Sequence, residues 1–461
     1  APLGLPMGVL KFIPQLLARR QGPVKRLIRT SIAITAGASA ALALLLFAGS
    51  NWLAVSLYRK PELVGTFRLF SPALPFLSLL AVTAAISRSR GEMKYAAVFQ
   101  DVGQPLMGLA LLLGLWIFFG ASTEVVILAD VLSFAAAAGV GLWFVRRMFG
   151  GHPAQAGTGG PGMREILAYS LPTAVAGTLS VLVFWIDRLL VGYYLPGEAN
   201  GLYQAASQVS ILFVLVLAGF NAVLAPLFAE GHARGEHDRL ETAYQYGTKW
   251  GLYVSMPIFI VIALAPRQTL AALFGGSYAD AALPMVVLAV GQMLNVATGA
   301  VGPLLMMAGQ QRLWMRLALA ALVLNMAVCV VAIPRLGITG AALSTSLCLG
   351  AMYSFAVIRA KDLLGLWPYH RRYLKGLVAA ACTAVVVLGL STALRQWRAE
   401  FLAFTLLVAS AVCFAGALLA LRLDAEDRAL LEVAVRWLGS RTLLPIGHSE
   451  GAGTSRGRDA P

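Results

Sequence analysis

The residues most able to do chemistry in this chain are polar groups set inside long apolar stretches. Lys249 stands about a turn and a half into the stretch 243–265. An ionised side chain at the bilayer centre costs about 2.5–3.5 kcal/mol on insertion scales, so each such group needs an account. A lysine there is either a compact cation for an anionic ligand in a cavity or a snorkelling residue whose ammonium returns to the interface. Asp187 and Arg188 lie near one end of 166–195. Adjacent residues do not face each other on a helix. Arg188 is therefore open to an anionic group while Asp187 holds another helix, or both pin a helix end as interfacial charges. Asp101 and Gln104, spaced i, i+3, share a helix face; that face suits a coupling ion or hydroxyl-bearing ligands, or bonding between helices. Tyr203, Gln204 and Gln208 open 201–229, with the two amides at i and i+4 projecting one way. They offer donors and acceptors to a ligand or to helix packing. Gln292 with Asn295 makes a similar face, Asn325 sits alone in an apolar helix, and Asp130 marks a helix end.

None of these groups forms a catalytic constellation. The sequence has no Walker A loop and no His/Asp/Glu cluster with metal spacing. Its five histidines, His152, His232, His237, His370 and His448, all fall in loops or tails. The chemistry on offer is binding, with no catalytic residue, cofactor or metal called for.

The elements that must position these residues are membrane spans. A span needs roughly 20 apolar residues to cross about 30 Å of hydrocarbon. Twelve stretches qualify, near 31–57, 69–87, 95–119, 124–145, 166–195, 201–229, 243–265, 279–308, 313–333, 338–358, 376–394 and 401–421. With 59% hydrophobic residues, 12% charged and a mean hydropathy of +0.77, the chain has too much apolar surface for a soluble domain. The net charge of +15 is a matter of orientation. Lys25-Arg26, Arg88/Arg90/Lys94, Arg146-Arg147 and Arg371-Arg372 all fall in alternate loops, whereas 120–123 and 196–200 carry no Lys or Arg. By the positive-inside rule both termini are expected in the cytoplasm, and nucleic acid is not an expected partner. Cys329, Cys348, Cys382 and Cys413 lie within spans and read as small apolar residues.

The Gly- and Pro-rich segment 149–163 divides the spans into two bundles. Across it runs a weak repeat at an offset near 218 residues, pairing Leu53–Leu57 with Leu270–Phe274. Two bundles in parallel repeat with a site between them is a transporter architecture. No cleavable signal peptide is evident, and the opening Ala1-Pro2-Leu3 is expected to lie inside a longer protein, near the end of an earlier helix.

A pattern in the second half resembles a known family. Tyr169-Ser170-Leu171-Pro172 precedes Asp187-Arg188, Gly192, Gly201-Leu202-Tyr203 and Pro226; Leu324-Asn325 leads to Ile333-Pro334-Arg335-Leu336-Gly337, Gly340-Ala341-Ala342 and Thr345. Together with Gly8–Pro14, these segments resemble the polysaccharide and O-antigen flippases of the multidrug/oligosaccharidyl-lipid/polysaccharide exporter superfamily, over roughly residues 8 to 365. The resemblance implies an all-α polytopic fold. Its parts would be an incomplete N-terminal lobe (1–148), a linker (149–163), a C-terminal lobe (164–365), an extra helix pair (366–422) and a cytoplasmic tail (423–461). It implies a bacterial inner-membrane flippase for a polyprenyl-diphosphate-linked oligosaccharide, working beside a glycan polymerase and glycosyltransferases. Arg188 and Lys249 would then meet the diphosphate. Asp187, Tyr203, Gln204, Gln208 and Asn325 would complete the substrate site, with Asp101 and Gln104 for ion coupling. A lipid II flippase, a cation-coupled drug exporter and a membrane glycosyltransferase or polymerase remain alternatives; the last usually needs a large outer loop, and the outer loops here are short.

Overall fold

The computed structural model describes residues 4–18, 24–90, 97–149, 170, 178, 181–182, 185–370, 373–394 and 396–421, and every regular element among them is helical. Helices suit lipid because each satisfies its own backbone hydrogen bonds. The first bundle holds α1 (Leu5–Ala18), α2 (Val24–Asn51) with a π-helical end (Trp52–Leu57), α3 (Leu63–Phe70) and α4 (Ala73–Ser89). A π-helical turn (Ala97–Gly103) then leads into α5 (Gln104–Phe119), followed by α6 (Thr123–Phe149). The second bundle holds α7 (described over 185–194), α8 (Gly197–Arg234), α9 (His237–Leu264), α10 (Pro266–Phe274), α11 (Ala282–Ala297), α12 (Val301–Met307) and α13 (Gln311–Leu364). A last pair, α14 (Tyr373–Ala393) and α15 (Ala399–Ala420), packs on α9. Tyr253 of α9 meets the Phe414 ring at 5.9 Å, and the Ser410 hydroxyl donates to the Pro257 carbonyl at 3.0 Å.

Ten helices among the described residues are long and apolar enough to cross a membrane. One of them, α13, runs for 54 residues, about 80 Å if straight and far more than one bilayer needs. It is two spans. At Gly337 the backbone leaves helical space (φ 61°, ψ −142°), a region that side chains resist. The chain folds back so tightly that a Cβ on Gly340 would stand 2.3 Å from the Ala332 carbonyl oxygen. Counting both arms of α13 gives eleven; the twelfth expected span, 166–195, lies largely outside the described residues, which hold its end at 185–194.

The two bundles repeat in order. A long helix, a short helix and a further span, α2–α3–α4, recur as α9–α10–α11, and each series ends in a pair of spans. The residue pairing differs from the sequence expectation. Leu53–Leu57 lies in the π-helical end of the long helix, whereas Leu270–Phe274 lies in the short helix that follows. Apolar runs look alike whichever element they occupy, so composition located the repeat but slipped its register. The linker at 149–163 and the tail at 423–461 lie outside the described residues, except for Phe149 at the end of α6.

Extensive packing between described helices stays within a bundle or joins the terminal pair to the second one. The bundles meet where α2 and α7 end, away from the basic loops. There Lys60 Nζ donates to the Gly192 carbonyl at 2.8 Å and also to the Leu195 carbonyl, and Tyr58 packs edge-on against Tyr193 at 6.3 Å.

Candidate functional site

The polar residues of the second bundle converge on Asp187. Its carboxylate is 3% exposed, a position that a charge tolerates only with partners. Oδ2 accepts from the Tyr203 hydroxyl of α8 at 2.7 Å and from the Thr345 hydroxyl of α13 at 3.1 Å. Oδ1 accepts from the Arg188 backbone N–H at 2.8 Å. Asn325 extends the chain of bonds: its Nδ2 reaches Thr345 Oγ1 at 3.5 Å, and its Oδ1 accepts from the Ser344 hydroxyl at 2.7 Å. The hairpin at Gly337 makes this possible, because it sets Asn325 on one arm of α13 beside Ser344 and Thr345 on the other. Three helices, α7, α8 and α13, are thus fastened at one depth.

Arg188 turns the other way. Its Nε donates to Gln204 Oε1 at 2.9 Å, its guanidinium lies 4.8 Å from the Trp185 ring centroid, and Nη1 curls back to 3.4 Å from Asp187 Oδ1. The two neighbours do pair, which helix spacing alone disfavours, because the long arginine side chain bends back along its own helix. Arg188 lies seven residues before Leu195, roughly 10 Å below that end of the helix at 1.5 Å per residue.

A cavity of about 410 Å³ opens beside this cluster, lined by Trp185, Arg188, Ser207, Ser210, Gln292 and Thr345 among others. That volume lies in the range of small-ligand sites. Asp187 also borders the cavity, but its carboxylate oxygens already accept from Tyr203, Thr345 and the Arg188 backbone. That leaves the Arg188 guanidinium, hydroxyls and an amide on walls whose other described residues are apolar, a lining that suits a ligand with a compact anionic group and hydroxyls. Gln208, exposed one turn beyond Gln204, continues the same polar face of α8.

The remaining expected site residues lie elsewhere. Lys249 is 4% exposed, between the rings of Tyr246 and Tyr253, each 5.6 Å from its ammonium. Gly251, two residues on, packs towards Val296 of α11 and Phe220 of α8. Two residues turn a helix by about 200°, so Lys249 faces away from α8 and α11, towards the terminal pair. Asp101 and Gln104 diverge. Asp101, its side chain 57% exposed, lies 4.0 Å from Arg88, while Gln104 Nε2 donates to Ser133 Oγ of α6 at 3.0 Å. The π-helical turn is wider than an α-turn, so an i, i+3 spacing there no longer stacks two side chains on one face. Among the described residues no group of His, Cys, Asp and Glu is placed to hold a metal.

Sequence reasoning passed over Thr345 and Trp185 as site residues, and over Lys60 altogether. Lys60 did leave a signal: Arg59-Lys60 places two cations in a loop on the side that the charge bias marks as poor in them.

Two helical bundles in parallel repeat, meeting at one end, with a polar pocket at membrane depth, define a two-lobed polytopic membrane protein of the transporter kind. The model of the polysaccharide biosynthesis protein family matches residues 8–283, more than half of the chain, and the chain belongs to that family. It is 24% identical over 194 residues to a probable low-salt glycan biosynthesis flippase, Agl15, of Haloferax volcanii. That match covers 42% of this chain and 40% of the relative's length. Among solved structures, the lipid II flippase MurJ in an inward closed conformation superposes with a TM-score of 0.68 at 12% identity, over 90% of this chain and 88% of that one. An inward-facing multidrug resistance transporter of the MATE family, in the MOP superfamily, gives 0.62 at 15% identity, over 79% and 86%. These structures share the fold.

Proposed function

We propose that the chain moves a polyprenyl-diphosphate-linked oligosaccharide across a bacterial inner membrane by alternating access, with both termini in the cytoplasm. The observation that carries this reading is the pocket beside Asp187 and Arg188. A diphosphate taken into a low-dielectric cavity needs a cation, and an arginine gives planar, multidentate contact with phosphate oxygens. Gln204 and Gln208 would follow with amide groups for sugar hydroxyls, and Asp187, Tyr203, Thr345 and Asn325 would hold Arg188 at its depth. The polyprenyl tail would stay in lipid.

Family membership and the flippase relative support the substrate class. The contact through Lys60, on the side poor in basic residues, supports a resting form closed towards the outside, with loading from the cytoplasmic leaflet. A cation-coupled drug exporter is less well supported: Asp187 already accepts from its own bundle through both oxygens, and Asp101 sits in an exposed turn beside Arg88. Catalysis by a glycosyltransferase or polymerase is less well supported: the polar residues gathered among the described helices form a binding pocket around Asp187 and Arg188. Such enzymes would act before and after this step, and a polymerase and glycosyltransferases are the expected partners.

Glycan export in a cell lacking its own flippase tests the reading. Arg188→Gln should abolish export and Arg188→Lys should retain part of it, at equal protein in the membrane. Export unchanged by Arg188→Gln would remove the pocket from the pathway.

A further inference from the structure

A second polar cavity, of about 630 Å³, lies in the first bundle between the start of α2 and the end of α6. Lys25, Arg29 and Arg146 converge on it, no acidic residue lines it among the described residues, and its walls towards the membrane interior are apolar, including Ile28, Ile32 and Leu142. Orientation by the positive-inside rule requires basic residues only somewhere near this interface. It does not require cations from two helices more than a hundred residues apart to gather over one trough. The neighbouring basic residues show the difference: Arg147 stacks on Trp143 at 5.5 Å, and Arg26 is exposed and does not line the trough.

We infer that this groove is a binding site for an anionic glycerophospholipid of the surrounding leaflet. Its phosphate would lie among Lys25, Arg29 and Arg146, and an acyl chain along Ile28, Ile32 and Leu142. Lys25 in the first turn of α2 and Arg146 in the last turn of α6 stand at headgroup level, where each cation near an anionic surface contributes about 1 kcal/mol, or roughly fivefold in affinity. The apolar walls decide between sources of phosphate, since inorganic phosphate gains nothing from them. The site is separate from the Arg188 pocket, which lies in the other bundle.

Native mass spectrometry of the delipidated full chain tests this, using phosphatidylglycerol, phosphatidylcholine with the same acyl chains, and excess inorganic phosphate as competitor. Phosphatidylglycerol should bind in preference and resist the phosphate. Arg29→Gln should weaken it about fivefold, and Arg29→Gln with Arg146→Gln about thirtyfold. Arg147→Gln should change it less than twofold, and Arg29→Lys with Arg146→Lys should keep most of the affinity. Equal binding of phosphatidylcholine, displacement by inorganic phosphate, or an Arg147→Gln loss as large as that of the double variant would each overturn the assignment. The single Arg29→Gln variant keeps the test decisive if the double variant fails to fold.

Discussion

At the scale of single residues, Asp187 and Arg188 divide one task. Both border the pocket, but Asp187 spends its oxygens tying three helices together, while Arg188 extends its guanidinium along the pocket wall. Their substitutions should therefore fail in different ways. Tyr203→Phe removes a hydrogen bond of 2.7 Å to a buried carboxylate; hydrogen bonds to charged groups contribute about 1.5–3 kcal/mol. A loss of about that size should appear as a lowered midpoint of thermal unfolding in detergent, with substrate affinity less affected. Lys249 provides the contrast. Between two tyrosine rings and facing the terminal pair, it should act on stability: cation–π contacts contribute about 0.5–2 kcal/mol. Lys249→Met is expected to lower the unfolding midpoint and to leave transport by the surviving protein within about threefold, a margin of roughly 0.6 kcal/mol. Loss of transport in well-folded Lys249→Met would return this lysine to the substrate path.

At the scale of elements, the helices were largely legible from the sequence because lipid demands about 20 apolar residues for each crossing. The boundaries of α6, α14 and α15 fall within a few residues of the apolar stretches, and α9 ends within one residue of its stretch but begins a turn and a half earlier. What could not be read was local winding. The π-helical turn before α5 has no composition of its own, so the face shared by Asp101 and Gln104 was an α-helical expectation applied to a wider turn. The direction of Lys249 was equally hidden: Glu241 and Gln245 share its side of α9, but only packing against α14 and α15 shows which neighbours that side meets. The Gly337 hairpin was readable in part, since Pro334 and two glycines announce a turn. The sequence does not show that the turn places Asn325 beside Thr345. Gly340→Leu would drive a side chain into the Ala332 carbonyl and should separate those arms. The expected result is poor yield of folded protein and loss of the Asp187 network, measurable as faster proteolysis in the 311–364 region; normal folding would contradict the tight hairpin.

At the scale of the whole molecule, the bundles touch where Lys60 holds the last carbonyls of α7. An ammonium at a helix C-terminus is favoured by the partial negative charge there, and two carbonyl bonds make it a latch between bundles. Alternating access requires that latch to open. Lys60→Glu should repel the same carbonyls and shift the protein towards the form open on that side, raising the labelling of a cysteine placed at Tyr193 by a membrane-impermeant thiol reagent. Unchanged labelling would mean that Lys60 only decorates a closed interface. The repeat of long helix, short helix and span in both bundles gives each a comparable rigid frame, so rocking about a central pocket needs no unfolding of either.

The most direct test of the central claim is leaflet-resolved accessibility of a fluorescent undecaprenyl-diphosphate glycan in proteoliposomes holding the full chain. Protein-dependent loss of inner-leaflet protection, abolished by Arg188→Gln and preserved in Arg147→Gln, is the predicted result. Protection that persists with folded protein, or movement that Arg188→Gln leaves intact, would contradict it.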